Sequence, residues 1–455
     1  MSNVPDAVVV VPARALDRLA VPVAGVPQLV RLLLTLGRGG VAAVTVAVVG
    51  DDRAVADLVA AAPAVARARL AVTVVSAADE AAALVAAAPT DRRFIVATPL
   101  VVFEPGLVKR LAASDGAGAA AWLATSADPG GRGGVAITTA GDRISQVGAG
   151  AGAAVGVAIA GRELVDAAGA APGATLIELL GSLAQAGRLG AVEVGAALWQ
   201  PVEDAAGRAA ARTRLLGSLT KPTDGVVARL VNRRLSRVVT GVLLGTGVTP
   251  NQMTLFAAVF GVVGIALVAQ ASWLTLAIGA VLIQVQSILD GCDGELARLK
   301  FQGSVLGEWL DNGIDDAMNV AYPLALGHAA TTLLGWSGWW WAGVIAAAGF
   351  ATHSAVVYLD IARRHGSGNP FLFRWWFQQG DAYLQQALAA PDGGVNLLGA
   401  FHALGRRDLF LFAFMGCGLV GLPQVAVTWY AVIAVVNGGM AIAHALAGGL
   451  RVDRA

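Results

Sequence analysis

Between Asp290 and Asp315 the chain reads DGCDGELARLKFQGSVLGEWLDNGID, with aspartates at 290, 293, 311 and 315 and strongly apolar sequence on either side. On a helix, residues three or four apart share a face, so Asp290 and Asp293 project together, as do Asp311 and Asp315. Two facing helices then converge all four. Ionisable groups at membrane depth are costly and mark functional sites turned into a bundle. Carboxylates as the ligand set favour a hard divalent cation, Mg2+ or Mn2+, and the number of acids suits two ions. Arg298 can grip a phosphate in bidentate fashion. Gly294, Ala297 and Gly307 remove side chains where a nucleotide or another backbone could approach. A diphosphate is the natural occupant, its charge neutralised while a phosphoryl bond is exchanged. Asp316 is rotated off this stripe and is read as a supporting acid.

The elements that must hold these residues are membrane helices. The 455 residues are 56% hydrophobic and 14% charged, and the mean hydropathy is +0.67. Both depart from soluble globular usage. Apolar windows of spanning length occur at about 252–270, 272–290, 310–330, 337–359, 408–425 and 427–448, predicting about six helices. Arg237, Arg298, Lys300, Arg363, Arg364, Arg374, Arg406, Arg407, Arg451 and Arg454 fall on one set of ends, and the opposite connections carry no charge. The bias of basic residues to cytoplasmic loops then predicts a cell (inner) membrane protein with both ends of this region, the acidic cluster and the preceding domain in the cytoplasm. Stretch 369–388, NPFLFRWWFQQGDAYLQQAL, is expected on the membrane surface with its Trp residues as anchors. A carboxylate-lined transporter is disfavoured, because such sites lie near the midplane in broken helices. Small-residue helix faces would suit a homodimer.

Before the membrane region, short β-branched runs at 7–11, 44–49, 71–75, 94–98 and 152–160 alternate with helical stretches, including one at 175–187. That alternation predicts an α/β domain with a mostly parallel sheet over residues 1–218. The N-terminal MSNVPDAVVVVPA has no basic region followed by an apolar core and cleavage site, and reads as a first strand. A polar helix near 203–218 closes the domain. Lys221, Pro222 and Gly225 mark a turn. Residues 219–247 form a linker and a basic amphipathic helix, with Arg229, Arg233, Arg234 and Arg237 among Val227, Leu230, Leu235, Val238 and Val239, suited to the headgroup boundary. A net charge of +1 gives nucleic-acid binding no support. Cys292 and Cys417, far apart, form neither a redox nor a metal pair.

The pattern D-x2-D-G-x2-A-R-x8-G-x3-D-x3-D resembles that of the CDP-alcohol phosphotransferase family, and each of its positions is filled. The resemblance takes in TPNQMT (249–254) and the helix count, and covers residues 248–450. It implies a CDP-linked alcohol as donor, attack of an acceptor hydroxyl on phosphorus, and release of CMP. By family analogy Asp290, Asp293, Asp311 and Asp315 hold metal, Asp315 is also the general base, and Gly294, Ala297, Arg298 and Gly307 contact the nucleotide. Arg363, Arg364, Arg406 and Arg407 could bind an acceptor phosphate or serve only as cytoplasmic anchors.

Residues 22–50 resemble the PxxxVxGxPLLxR region of sugar-phosphate nucleotidyltransferases. The phosphate-wrapping chemistry is absent: no glycine precedes Gly25 and no lysine precedes Lys109. The triplet Phe103, Glu104, Pro105 survives, but Pro99 and Leu100 stand where the family carries a metal-binding Asp. This domain is therefore expected to be catalytically silent, with Arg14 and Arg18 as surface arginines. The fusion looks like the inositol-phosphate branch, whose members make CDP-inositol and couple it to inositol phosphate. A lipid synthase using CDP-diacylglycerol, or an enzyme active in both domains, is the alternative.

Overall fold

The computed structural model describes residues 4–114, 119–127, 133–220, 224–364, 372–376 and 406–448. It divides into two compact units, Met1–Leu219 and Thr220–Ala455.

In the first unit the β-branched runs form strands because a doubly covered sheet favours continuous apolar sequence. Strand β1 (Ala7–Val11) is buried along its whole length. It pairs in parallel with β2 (Ala43–Val49) and β4 (Phe94–Ala97), and β2 pairs in parallel with β3 (Ala71–Ala77). The sheet continues through β5 (Ala121–Ser126), β6 (Val135–Ala140), β7 (Arg143–Val147), β8 (Gly152–Ala160) and β9 (Leu189–Glu193). Its nine strands lie in the order β3-β2-β1-β4-β8-β5-β9-β7-β6. The expected parallel half is present. The other half is mixed, because β8 runs antiparallel to β4, β5 and β6, and β7 antiparallel to β6 and β9. Gly156 makes the irregularity in β8 possible: its φ is +89°, and a Cβ there would lie 2.5 Å from Thr98 Oγ1.

Helix α1 (Gln28–Arg38) carries the segment resembling PLLxR. Its polar residues hold backbone. Gln28 Nε2 donates to the carbonyls of Pro99 and Val101, both at 2.8 Å, and Arg31 donates to those of Val23 and Ala24 at 3.0 and 3.2 Å. Burial pushes the Arg31 guanidinium down to about 10. The remaining α-helices of more than five residues are α2 (Arg53–Ala60), α3 (Glu80–Ala87), α4 (Gly106–Ala112), α5 (Arg162–Ala170), α6 (Leu176–Gln185) and α7 (Ala205–Gly217). α6 begins with a reciprocal Thr175–Glu178 capping box.

The second unit opens with a π-helical turn, Ala228–Asn232, leading into α8 (Arg233–Leu243). α9 (Pro250–Ala269), α10 (Trp273–Leu299), α11 (Val305–Leu334), α12 (Gly338–Arg364), α13 (Arg407–Leu419) and α14 (Pro423–Leu446) follow. These six occupy the expected windows. Four of them, α9, α10, α12 and α14, are long and apolar enough to cross a membrane. α11 carries Glu308, Asp311, Asp315 and Asp316, and α13 has 13 residues. Thr249 starts α9 with a capping box to Gln252, and Pro250 occupies its first turn. The interior packs Tyr430 against Phe350, Phe410, Phe414 and Tyr322. Glycines bring the helices close: a Cβ on Gly264 of α9 would sit 2.9 Å from the Gly279 carbonyl of α10. Gly327 and Gly343 likewise join α11 to α12, and Gly349 and Gly438 join α12 to α14. These small-residue contacts lie within one chain.

α8 presents its faces differently from the simple amphipathic reading. Leu235, Val238 and Val242 are exposed, while Ser236 and Thr240, with Asn232 just before the helix, are buried against the bundle. An apolar outer face suits lipid, and a polar inner face requires partners inside the protein. Of the stretch 369–388, only 372–376 are described; the rest, with Arg451, Arg454, Lys221 and Pro222, lies outside the described residues.

Candidate active site

Helix continues past the apolar window in α10, through Asp290 and Asp293 to Leu299, and α11 begins before Asp311. The acidic residues therefore stand on rigid helical turns. Asp290, Asp293 and Asp311 each offer an oxygen within 4.8 Å of the others. Asp293 is buried at 6% exposure. Its Oδ2 accepts from Thr254 Oγ1 of α9 and its Oδ1 from the Gly294 amide. Asp311 Oδ1 is buried without a hydrogen-bond donor.

A cation fits this group. An orphaned buried carboxylate oxygen beside two more carboxylates calls for a positive partner, and the all-oxygen set selects a hard ion. Cys292 is turned away, its Sγ directed at the Ser236 and Ile288 carbonyls at 3.5 and 3.8 Å.

Asp315 is placed differently from the other three. Arg407, from the first turn of α13, engages it with both terminal nitrogens, with Nη2 to Oδ1 at 2.8 Å. Gln286 Nε2 reaches the same Oδ1 at 3.5 Å. Arg407 Nη1 also lies 3.8 Å from Asp290 Oδ2, so this guanidinium borders the acidic group itself. Asp316 lies near Tyr358 and Ser354 of α12, and its Oδ2 is buried without a hydrogen-bond partner.

Gly307 sits in the first turn of α11, capped by Ser304, and a Cβ there would lie 2.9 Å from Asn251 Oδ1. A Cβ on Gly294 would meet Arg298 Nη1 at 3.4 Å, an ordinary contact. Ala297 and Arg298 are half-buried on the last turn of α10. Of the other arginines, Arg363 and Arg364 are exposed at the end of α12, with Arg364 Nε on Asp360 at 2.6 Å. Arg406 Nε lies 3.4 Å from Asp408. Among the four arginines considered for an acceptor phosphate, the structure brings Arg407 to the carboxylates.

Residue-type reasoning missed three contributors. Thr254 lies within TPNQMT, whose last hydroxyl is one turn from the capped start of α9. Lys300 donates to the carbonyls of Leu243, Thr246 and Val248 at 3.2, 2.8 and 3.0 Å, capping the end of α8 and the turn into α9. Glu295 is fully buried. Its sequence signal is an acid about 200° round the helix from Asp293, three residues before Arg298.

In the first unit the connection after β1 is a 3-10 helix, Ala13–Arg18. Within it Ala15 N donates to Pro12 O, and just beyond it Leu19 N donates to Leu16 O and Val21 N to Arg18 O. Arg14 lies 3.6 Å from Glu80, Arg18 3.7 Å from Asp17, and both line a cavity of about 180 Å³ with Thr98, Pro99 and Gly156. Glu104 accepts from the Leu198 amide at 3.3 Å and pairs with Arg110 at 3.5 Å.

Residues 247–369 match the family model of CDP-alcohol phosphatidyltransferase. That stretch contains all eight patterned positions, so the family resemblance of this region holds. Curated relatives called "Bifunctional IPC transferase and DIPP synthase" are similar to the chain. The one from Thermococcus kodakarensis is 38% identical over 120 residues, 26% of this chain and 27% of the relative. The one from Rubrobacter xylanophilus is 31% identical over 247 residues, 54% of this chain and 48% of the relative. The matched stretches thus span about a quarter to a half of the length of these relatives. Among solved structures, the inositol-1-phosphate CTP transferase from T. maritima is 14% identical, with a TM-score of 0.39 over 45% of this chain and 91% of its own.

Proposed function

We propose that the membrane unit, taken as residues 248–450, transfers a phosphoalcohol group from a CDP-alcohol to an acceptor hydroxyl and releases CMP. The observation carrying this reading is the meeting of Asp290, Asp293 and Asp311 within 4.8 Å, with the donorless Asp311 Oδ1, inside the stretch that matches the family model. These three aspartates would hold Mg2+ or Mn2+, which supplies charge neutralisation on the diphosphate. Arg298 binds phosphate oxygens, and Gly294, Ala297 and Gly307 leave room for the cytidine nucleotide. The acceptor oxygen forms its bond to phosphorus as the bond to the CMP oxygen breaks, and Asp315 takes the hydroxyl proton. Arg407 orients Asp315. A phosphate on the acceptor would compete for that guanidinium and free the carboxylate to act.

Arg407 at the site, together with the names of the relatives, supports an inositol-phosphate acceptor. The basic residues at one set of helix ends support a cytoplasmic site. We take residues 1–218 to be catalytically silent, since the Ala15, Leu19 and Val21 amides after β1 are occupied locally and no Gly-rich loop is present. The purified full chain, given Mg2+, labelled CDP-inositol or CDP-diacylglycerol, and inositol phosphate, should release CMP from one donor and stop when EDTA is added. CMP release that persists in EDTA, or failure with every donor, would remove the reading.

A further inference from the structure

Glu295 lies two residues beyond Asp293 on α10, on the opposite face. There it receives Ser236 Oγ and Thr240 Oγ1, both at 2.7 Å, on its two oxygens, and Arg233 Nη1 at 3.1 Å. All three donors come from α8. Arg233 is itself paired with Asp224 at 3.3 Å, and the Cys292 thiol reaches the Ser236 carbonyl on the same face. One side of α10 thus delivers Asp290 and Asp293 to the acidic group while the other is fastened to α8. A fully buried carboxylate is costly unless every oxygen is satisfied, so a charge here needs a reason beyond holding two helices together. The Gln284–Asn232 hydrogen bond at 3.0 Å already ties α10 to the turn that leads into α8 with neutral groups. Three convergent, charge-assisted donors permit little rotation of α10, and any rotation at Glu295 carries Asp293 with it.

We propose that Glu295 is a positioning residue of the acidic site: by locking α10 onto α8 it sets the rotation at which Asp290 and Asp293 meet Asp311. This rests on the reading of that group as a cation site. The test is Mn2+ binding, followed by electron paramagnetic resonance, on the full chain in lipid nanodiscs, with CMP release measured in parallel. Glu295→Gln should weaken Mn2+ binding about tenfold or more, the range for residues that orient ligands. Its kcat should fall in step, with the donor KM little changed and the helix content and gel-filtration profile as in wild type. Unaltered Mn2+ affinity in Glu295→Gln overturns the proposal, as does a wild type that binds no Mn2+. Should wild type bind Mn2+ yet release no CMP, the transferase reading falls and the binding arm still decides this one. If Glu295→Gln does not fold, Ser236→Ala/Thr240→Ala keeps the Arg233–Glu295 charge pair and removes two donors. It should weaken Mn2+ binding about threefold, and wild-type affinity in that variant is equally decisive against the idea.

Discussion

Asp311 and Arg407 show how much one side chain decides here. Asp311 Oδ1 is buried without a donor, which suits it to the ligand role proposed above. Asp311→Asn should lower CMP release by about 100-fold or more, since a bound metal contributes several kcal/mol to such a transition state. The variant should extract and migrate as wild type; turnover near normal would take Asp311 out of the ligand set. Arg407 holds both oxygens of Asp315 in a fork that a lysine cannot reproduce. Arg407→Lys keeps the charge and should cost about tenfold in kcat/KM for an anionic acceptor. Measured against donor concentration, the loss should be smaller. The four aspartates were legible because a three- and four-residue spacing fixes the face each occupies. The division between Asp315 and the other three was not, because Arg407 lies 92 positions further on and only packing brings it there.

At the scale of elements, each of the six apolar windows falls on one helix, although their ends differ by up to nine residues. They understated the length of α10, because the window ends where charges begin whereas the hydrogen-bonded turns continue to Leu299, and α11 extends past its window at both ends. The carboxylates consequently stand on helix. α8 was legible as amphipathic, yet which face turned inward was settled by the polar partners on α10. In the sheet, β1 to β4 announced themselves as runs rich in Val and Ile. Strands β5 to β7 and β9, in the mixed half, were missed, being more polar, with pairings that depend on distant residues. The α9–α10 crossing yields a prediction of its own. Gly264→Val would put a side chain against the Gly279 carbonyl and should destabilise the unit by about 1–3 kcal/mol, lowering the temperature at which the detergent-solubilised protein aggregates. Gly439→Ala meets open space and is the control. Equal melting of the two variants would show that the close approach is not maintained.

At the scale of the molecule, two units of different solvent preference share one chain. The first keeps an apolar sheet core and the Gln28 and Arg31 contacts that hold its loops, but not a phosphate loop. Full-length protein given CTP and inositol phosphate, with no CDP-alcohol, should therefore form no CDP-inositol; robust formation would show the first unit to be active. Composition and periodicity alone determined that a membrane region follows an α/β domain and that acids gather on two neighbouring helices, because burial and helical pitch are local consequences of residue type and spacing. Only the tertiary structure decided which carboxylates face one another, which one a guanidinium claims, and that Glu295 faces away toward α8. Those are contacts between residues remote in sequence, and helix rotation, which no local pattern fixes, selects them.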